Sequence, residues 1–352
     1  MKKEEVEERF ILAIDGGGIR GLIPALVLED LNNILKEMNA EHSLYAYFDL
    51  IIGTSTGGII SLSLANENTS IGIEEGEVSK AYETSYTRFL KREIKTYLKD
   101  VKRGIDIPKI KDLYKNDGSK IFVPNYNISF LEVLSNKYSA AKLLSYFKDI
   151  YADHSLSSLL VPTAIVSSDL KTGKEVIFSS YNEFKDCKIY EAARATSAAP
   201  TYFDSFLFDD KCLLDGAVIA NNPSLFAYSE ARKLYPNCKK FHILSLSTAS
   251  GLYTYQYGQE LQGAVAWAKH IWQVYQSGQH RLTDEVLAAA ADVEYTRIDT
   301  NTNHEKISMD DTRTASVLKI EEIGKEIVEQ GHQNLENFAA KMIKRKLFDN
   351  LR

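Results

Sequence analysis

The 352-residue sequence predicts an α/β protein with a mostly parallel central sheet covered by helices on both faces, a three-layer α/β/α arrangement. Apolar runs of strand length recur at 10–14, 48–52, 161–168, 175–179, 205–208, 241–246 and 293–298, with helical stretches between many of them. Two of these runs end in glycine-rich loops that open directly into apolar helical segments. No Pro/Gly/Ser linker, low-complexity tract or internal repeat divides the chain, and 44% hydrophobic content supports a substantial core. Length alone also permits two domains; the expectation is one domain over 1–352, with a motif-bearing core at about 9–250.

The first strand, Phe10-Ile11-Leu12-Ala13-Ile14, runs into Asp15-Gly16-Gly17-Gly18-Ile19-Arg20-Gly21. A helix follows, with Leu22, Ala25, Leu26, Leu31, Leu35 and Met38 near one face. Three consecutive glycines let backbone N–H groups converge on an anion without obstruction, as an acyl-transfer oxyanion requires. A tight strand-to-helix turn with no ligand explains the same residues. Gly16, Gly18 and Gly21 also satisfy G-x-G-x-x-G, the dinucleotide fingerprint of an oxidoreductase. That reading wants an acidic residue about 20 positions on, at the end of the second strand. Glu41 has the spacing but lies in the polar stretch Asn39-Ala40-Glu41-His42-Ser43, which disfavours it.

The second strand ends in Gly53-Thr54-Ser55-Thr56-Gly57, with the apolar segment Ile59 to Ala65 beyond. This is the form of a nucleophile elbow, whose sharp turn strains the serine and requires glycine two residues on either side, here Gly53 and Gly57. The hydroxyl then stands over the sheet edge at a helix N-terminus, where the dipole favours negative charge.

The interval from about 70 to 158 carries no clear strand and reads as helical, the natural place for a lid or substrate-facing cap. Within it, Arg88, Lys91, Arg92, Lys95, Lys99, Lys102 and Arg103 outweigh Glu93 and Asp100, while Leu90, Ile94, Tyr97, Leu98 and Val101 recur at helical spacing. Residues 88–103 therefore read either as a basic amphipathic helix able to lie on an anionic bilayer or as a solvated helix packed on the domain. Further on, Lys211-Cys212-Leu213-Leu214 reads as a short strand ending in Asp215-Gly216-Ala217. That aspartate either approaches a neighbouring loop or makes an Asx turn before the helix near Pro223. Beyond Ser316, the residues Leu318, Ile320, Ile323, Ile327, Leu335, Phe338 and Met342 predict C-terminal helices, part of an extension over about 260–352.

Taken together, these clusters resemble the patatin-like phospholipase family. The likeness is carried by the loop Asp15 to Gly21, the elbow Gly53-Thr54-Ser55-Thr56-Gly57-Gly58, the stretch Ala193-Arg194-Ala195-Thr196-Ser197-Ala198-Ala199-Pro200, and Asp215-Gly216-Ala217, over about 9–225. The resemblance implies a Ser–Asp dyad: Ser55 as nucleophile, Asp215 as base, and an oxyanion hole at Gly16, Gly17, Gly18 and Arg20, with the N–H groups of Gly17 and Gly18 as main donors. It implies a lipid acyl hydrolase of phospholipase A or lysophospholipase type, without metal or organic cofactor. A storage or binding protein on the same fold is the alternative, because fold does not fix function.

The histidines bear on dyad against triad. The order Ser, Asp, His would place the third member after Asp215. His242 comes first, but it lies near the start of its strand, at the sheet edge opposite Ser55. His270, His280, His304 and His332 fall in helical or polar C-terminal segments with no turn signature. A dyad fits better than a triad.

Composition bounds the remainder. Cys187, Cys212 and Cys238 have no C-x-x-C spacing, so neither a disulfide framework nor a zinc site is expected. The segment Met1 to Arg9 lacks a signal-peptide core, and no run approaches the roughly 18 apolar residues of a membrane span. The expectation is a cytoplasmic protein, peripheral at membranes only if residues 88–103 take the bilayer-facing reading rather than that of a solvated helix. The net charge of −6 argues against a nucleic-acid polymer as partner.

Overall fold

The computed structural model describes residues 7–40, 42–66, 107–124, 136–249, 263–300 and 307–350. Eight strands form one sheet: β1 (Glu8–Ile14), β2 (Leu50–Thr54), β3 (Thr163–Asp169), β4 (Lys174–Ser179), β5 (Phe206–Phe208), β6 (Lys211–Asp215), β7 (Lys240–Leu246) and β8 (Val293–Ile298). Their order is β5-β6-β3-β2-β1-β7-β8, with β4 also paired to β3. The central pairs β2–β3, β1–β2, β1–β7 and β7–β8 are parallel; the pairs involving β4, β5 and β6 are antiparallel.

The fold is a three-layer α/β/α arrangement, and β1 explains why. Phe10 to Ile14 are fully buried, so both faces of the strand need cover. Phe10, Leu12 and Ile14 join one core with α1 (Leu22–Glu37), α2 (Thr56–Ala65) and the C-terminal helix Thr314–Asn350. Ile11 and Ala13 point the other way, into a second core with Ala227, Ala231 and Leu287 of the helices Ser224–Leu234 and Gly263–Ala289.

Two details of the helical expectations change. The periodic residues beyond Ser316 lie on one 37-residue helix, in which Ile320, Ile323, Ile327, Leu335, Phe338 and Met342 are buried but Leu318 is 52% exposed. Leu318 falls outside the buried stripe, as Met38 does at the end of α1, where the chain turns away from the core. In the interval 70–158, the described residues form helices Ile107–Lys115, Gly118–Ile121 and Ala140–Tyr151. Residues 88–103 and Glu41 lie outside the described residues. Among the described residues, no helix is long and apolar enough to cross a membrane.

One register sets the position of the site. β3 pairs with β4 along one edge, so β2 and β6 share its other edge. Thr54 pairs with Val166, and Asp215 pairs with the next residue, Ser167. Since β6 runs antiparallel to β3, its carboxyl end meets the carboxyl end of β2 head-on.

Candidate active site

Ser55 follows β2 directly and caps α2 at φ 53°, ψ −121°, a left-handed conformation strained for a non-glycine residue. The elbow closes because its glycines carry no Cβ. A Cβ on Gly53 would lie 2.2 Å from Gly57 O, and one on Gly57 would lie 2.1 Å from Ile14 O. The strained turn is held by a residue the sequence reading did not single out within its motif. Thr196 Oγ1 accepts the Ser55 N–H at 2.8 Å and donates to Val166 O.

Ser55 Oγ donates to Asp215 Oδ2 at 2.6 Å, and the other carboxylate oxygen accepts Ala217 N–H at 2.8 Å. Backbone bonds from Asp215 N to Ala198 O at 3.0 Å and from Gly216 N to Thr196 O at 3.3 Å dock the Asp215 turn on the Ala193–Pro200 stretch. Asp215 is buried; loss of solvation raises its carboxyl from 3.8 to about 7, opposed by the hydrogen bonds from Ser55 and Ala217. That places the group near neutral pH, where a general base works best.

The glycine loop lies across the elbow from this pair. Gly16 N donates to Asn221 O at 3.0 Å, and Gly16 O accepts from Thr248 Oγ1 at 2.6 Å. Gly16 is therefore an anchor of the loop, its N–H taken up by the Asn221 carbonyl. Gly18 has φ +60° and passes so close to Met309 that a Cβ would lie 2.1 Å from its carbonyl oxygen. Ile19 N donates to that same carbonyl at 2.8 Å. The N–H groups of Gly17 and Gly18 have no acceptor among the described residues. Arg20 folds back, its backbone N–H and Nε both donating to Gly17 O at 3.3 Å, so its contact in this state is with the loop itself.

An apolar pocket opens at this junction. Ser55, Asp215 and Gly18 meet Ile59, Tyr114, Ile121, Leu143, Phe203 and Met309 there. Tyr114, Ile121 and Leu143 come from the interval read as a cap, yet they are well packed: Thr56 Oγ1 donates to Tyr114 Oη at 2.6 Å, and Leu143 is fully buried.

No histidine among the described residues hydrogen-bonds to Ser55 or Asp215. His242 pairs in register with Phe10 toward the amino end of β7, stacks on that ring at 4.6 Å, and lies 3.3 and 3.2 Å from Glu8 and Glu294. His332 contacts Asp30 at 2.8 Å, and His304 lies outside the described residues. His280 is buried, with Nε2 3.1 Å from Asn221 Nδ2, and so lies behind the glycine loop. Among the described residues, no group of three or more His, Cys, Asp or Glu side chains is arranged to hold a metal.

Fold and site together define a three-layer α/β protein whose strained strand-to-helix turn brings Ser55 against the Asp215 carboxylate. The chain belongs to the patatin-like phospholipase family, whose model matches residues 12–228. Patatin-17 of Solanum cardiophyllum is 28% identical over 91% of this chain and 83% of its own length. Patatin-like protein 3 of Arabidopsis thaliana is 30% identical over 78% of this chain and 66% of its own. "Probable inactive patatin-3-Kuras 1" of Solanum tuberosum is 28% identical over 93% of this chain and 89% of its own.

Proposed function

We propose that this protein is a lipid acyl hydrolase of phospholipase A or lysophospholipase type, acting through Ser55 and Asp215. The observation that carries the reading is the 2.6 Å contact of the strained elbow serine with a buried carboxylate, at the mouth of an apolar pocket. Asp215 takes the Ser55 proton as Oγ attacks the ester carbonyl, and the N–H groups of Gly17 and Gly18 receive the oxyanion. Collapse expels the alcohol, which leaves with the proton from Asp215. Water then attacks the acyl-serine, gives a proton to Asp215, and frees the fatty acid as that proton returns to Ser55.

A carboxylate of ordinary pKa is a weak base for a serine hydroxyl. Burial of Asp215 raises its affinity for a proton, and the direct short contact removes the need for a histidine relay. The apolar walls suit a fatty-acyl chain, and the helices Ile107–Lys115, Gly118–Ile121 and Ala140–Tyr151 serve as the cap that supplies part of them.

Lipidomics of a defined phospholipid mixture after incubation with wild type and Ser55→Ala tests the reading and identifies the acyl position. A non-catalytic storage role is separated by fluorophosphonate labelling: a hydrolase is labelled at Ser55, whereas a protein with an idle site is not.

A further inference from the structure

Asp15 immediately precedes the glycine loop and is fully buried. Arg297, in β8, grips it with a fork: Nη1 donates to Oδ1 at 2.9 Å and Nη2 to Oδ2 at 2.6 Å. The arginine reaches across β7 to do so. It is the register partner of Ser245, itself the partner of Ala13 in β1, and Nη1 also donates to Ser245 Oγ at 2.8 Å. Nη2 donates further to Asp299 at 3.1 Å. Burial pushes the Asp15 carboxyl up, the adjacent guanidinium opposes that shift, and Arg297 is held protonated. No hydrogen bond from Asp15 or Arg297 to Ser55 or Asp215 occurs among the described residues.

A buried ion pair is an inefficient way to stabilise a fold. Desolvating each charge costs several kcal/mol, and apolar replacements of similar volume are often neutral or better. An apolar pair cannot, however, fix the direction in which Asp15 hands the chain to three glycines, whose planes are held further along by Thr248 Oγ1 on Gly16 O and Arg20 Nε on Gly17 O. Direction matters here, because displacing a catalytic group by about 1 Å can cost about 10²-fold in rate.

We propose that Arg297 is a positioning residue for ester hydrolysis: its fork on Asp15 fixes the strand end from which the loop departs, so that the planes held further along by Thr248 and Arg20 aim the Gly17 and Gly18 N–H groups at the oxyanion. The proposal rests on the Ser55–Asp215 reading above. It predicts an effect on turnover from a residue two strands away from β1, with little effect on substrate affinity.

The test measures kcat and KM on p-nitrophenyl butyrate, the rate of Ser55 labelling by a fluorophosphonate, and the thermal midpoint, for wild type, Arg297→Met and Arg297→Lys. Folded Arg297→Met is expected to lose about 10²-fold in kcat with KM changed by less than about threefold, and labelling should slow in parallel. Arg297→Lys keeps the charge without the fork and should recover part of that loss. A structural pair would lower the thermal midpoint and leave kcat per folded molecule alone, so a folded Arg297→Met within about threefold of wild type in kcat overturns the proposal. Should Arg297→Met fail to fold, Arg297→Lys decides, and either wild-type kcat or failure to fold in that variant overturns it. A wild type that is neither labelled nor hydrolytic refutes the hydrolase reading and this proposal with it. A labelled wild type with an unimpaired folded Arg297→Met refutes this proposal alone.

Discussion

Ser55 and Asp215, separated by 160 positions in the chain, meet through a 2.6 Å hydrogen bond because β2 and β6 share one edge of β3 and point their carboxyl ends at each other. Successive residues of β3, Val166 and Ser167, pair with Thr54 and Asp215, so the two strands are aligned by a common template. The proposed chemistry depends on that alignment.

Ser55→Ala is expected to abolish ester hydrolysis by at least about 10³-fold, in line with other nucleophile deletions, while leaving the circular dichroism spectrum unchanged. The hydroxyl is half-buried at the pocket and packs little core, so its loss should not unfold the protein. Substantial turnover by a folded mutant would remove Ser55 from the mechanism.

Asp215 links activity to pH and to stability in opposite directions. With its carboxyl raised from 3.8 to about 7, kcat/KM should climb as pH passes through about 7 and the base becomes ionised. The folded state holds this proton more tightly than the unfolded chain does. The group's stabilisation is therefore full below about pH 4 and is lost as pH rises through about 7, a shift worth about 4 kcal/mol. Asp215→Asn should lose activity nearly as Ser55→Ala does, yet unfold at a higher temperature than wild type at pH 8, with the difference shrinking toward pH 4. A flat kcat/KM profile from pH 6 to 8, or a less stable mutant at pH 8, would contradict this account. His242→Asn should keep most activity per folded molecule; its complete inactivation would restore a triad.

Thr196 supports the elbow. Thr196→Val keeps the shape but leaves the Ser55 N–H without its acceptor, at a cost of about 1–3 kcal/mol. The expected result is a lower thermal midpoint and reduced kcat, with Thr196→Ser retaining both. Equal behaviour of Val and Ser at this position in melting and kinetics would remove Thr196 from the support of the turn.

The basic segment 88–103 is tested by function. If it contacts an anionic bilayer, each Lys or Arg contributes about 1 kcal/mol at low salt. Replacing Lys91, Arg92, Lys95 and Lys99 by glutamine should then weaken binding to anionic vesicles and slow hydrolysis in them, with little effect on a short soluble ester. Vesicle binding equal to wild type at low salt would remove the segment from membrane contact.

The features legible in the sequence are those in which strand, turn and helix are contiguous. The elbow around Ser55 and the loop from Asp15 to Gly21 follow from steric rules that act over a few residues, so their glycines announce them. Strand runs such as 10–14 and 241–246 stand out because both faces are buried and most of their residues are apolar, His242 and Ser245 being buried polar exceptions in the second. Side-chain roles within the loop are less legible: Gly16 and Gly18 look alike in sequence, yet one N–H is taken by Asn221 and the other has no acceptor among the described residues. Leu318 fits the helical period and is exposed, because periodicity gives an apolar face without saying how far the partner extends along it.

The sequence by itself determined the α/β class, the two glycine-bearing turns and the serine at one of them, since local backbone sterics and burial patterns do not depend on what lies far along the chain. Only the tertiary structure decided that Asp215 reaches Ser55, that Thr196 holds the strained turn, and that Arg297 grips Asp15 from two strands away. Those contacts arise from sheet order and register, which are set by the packing of all the layers together, and no short stretch of residues encodes them.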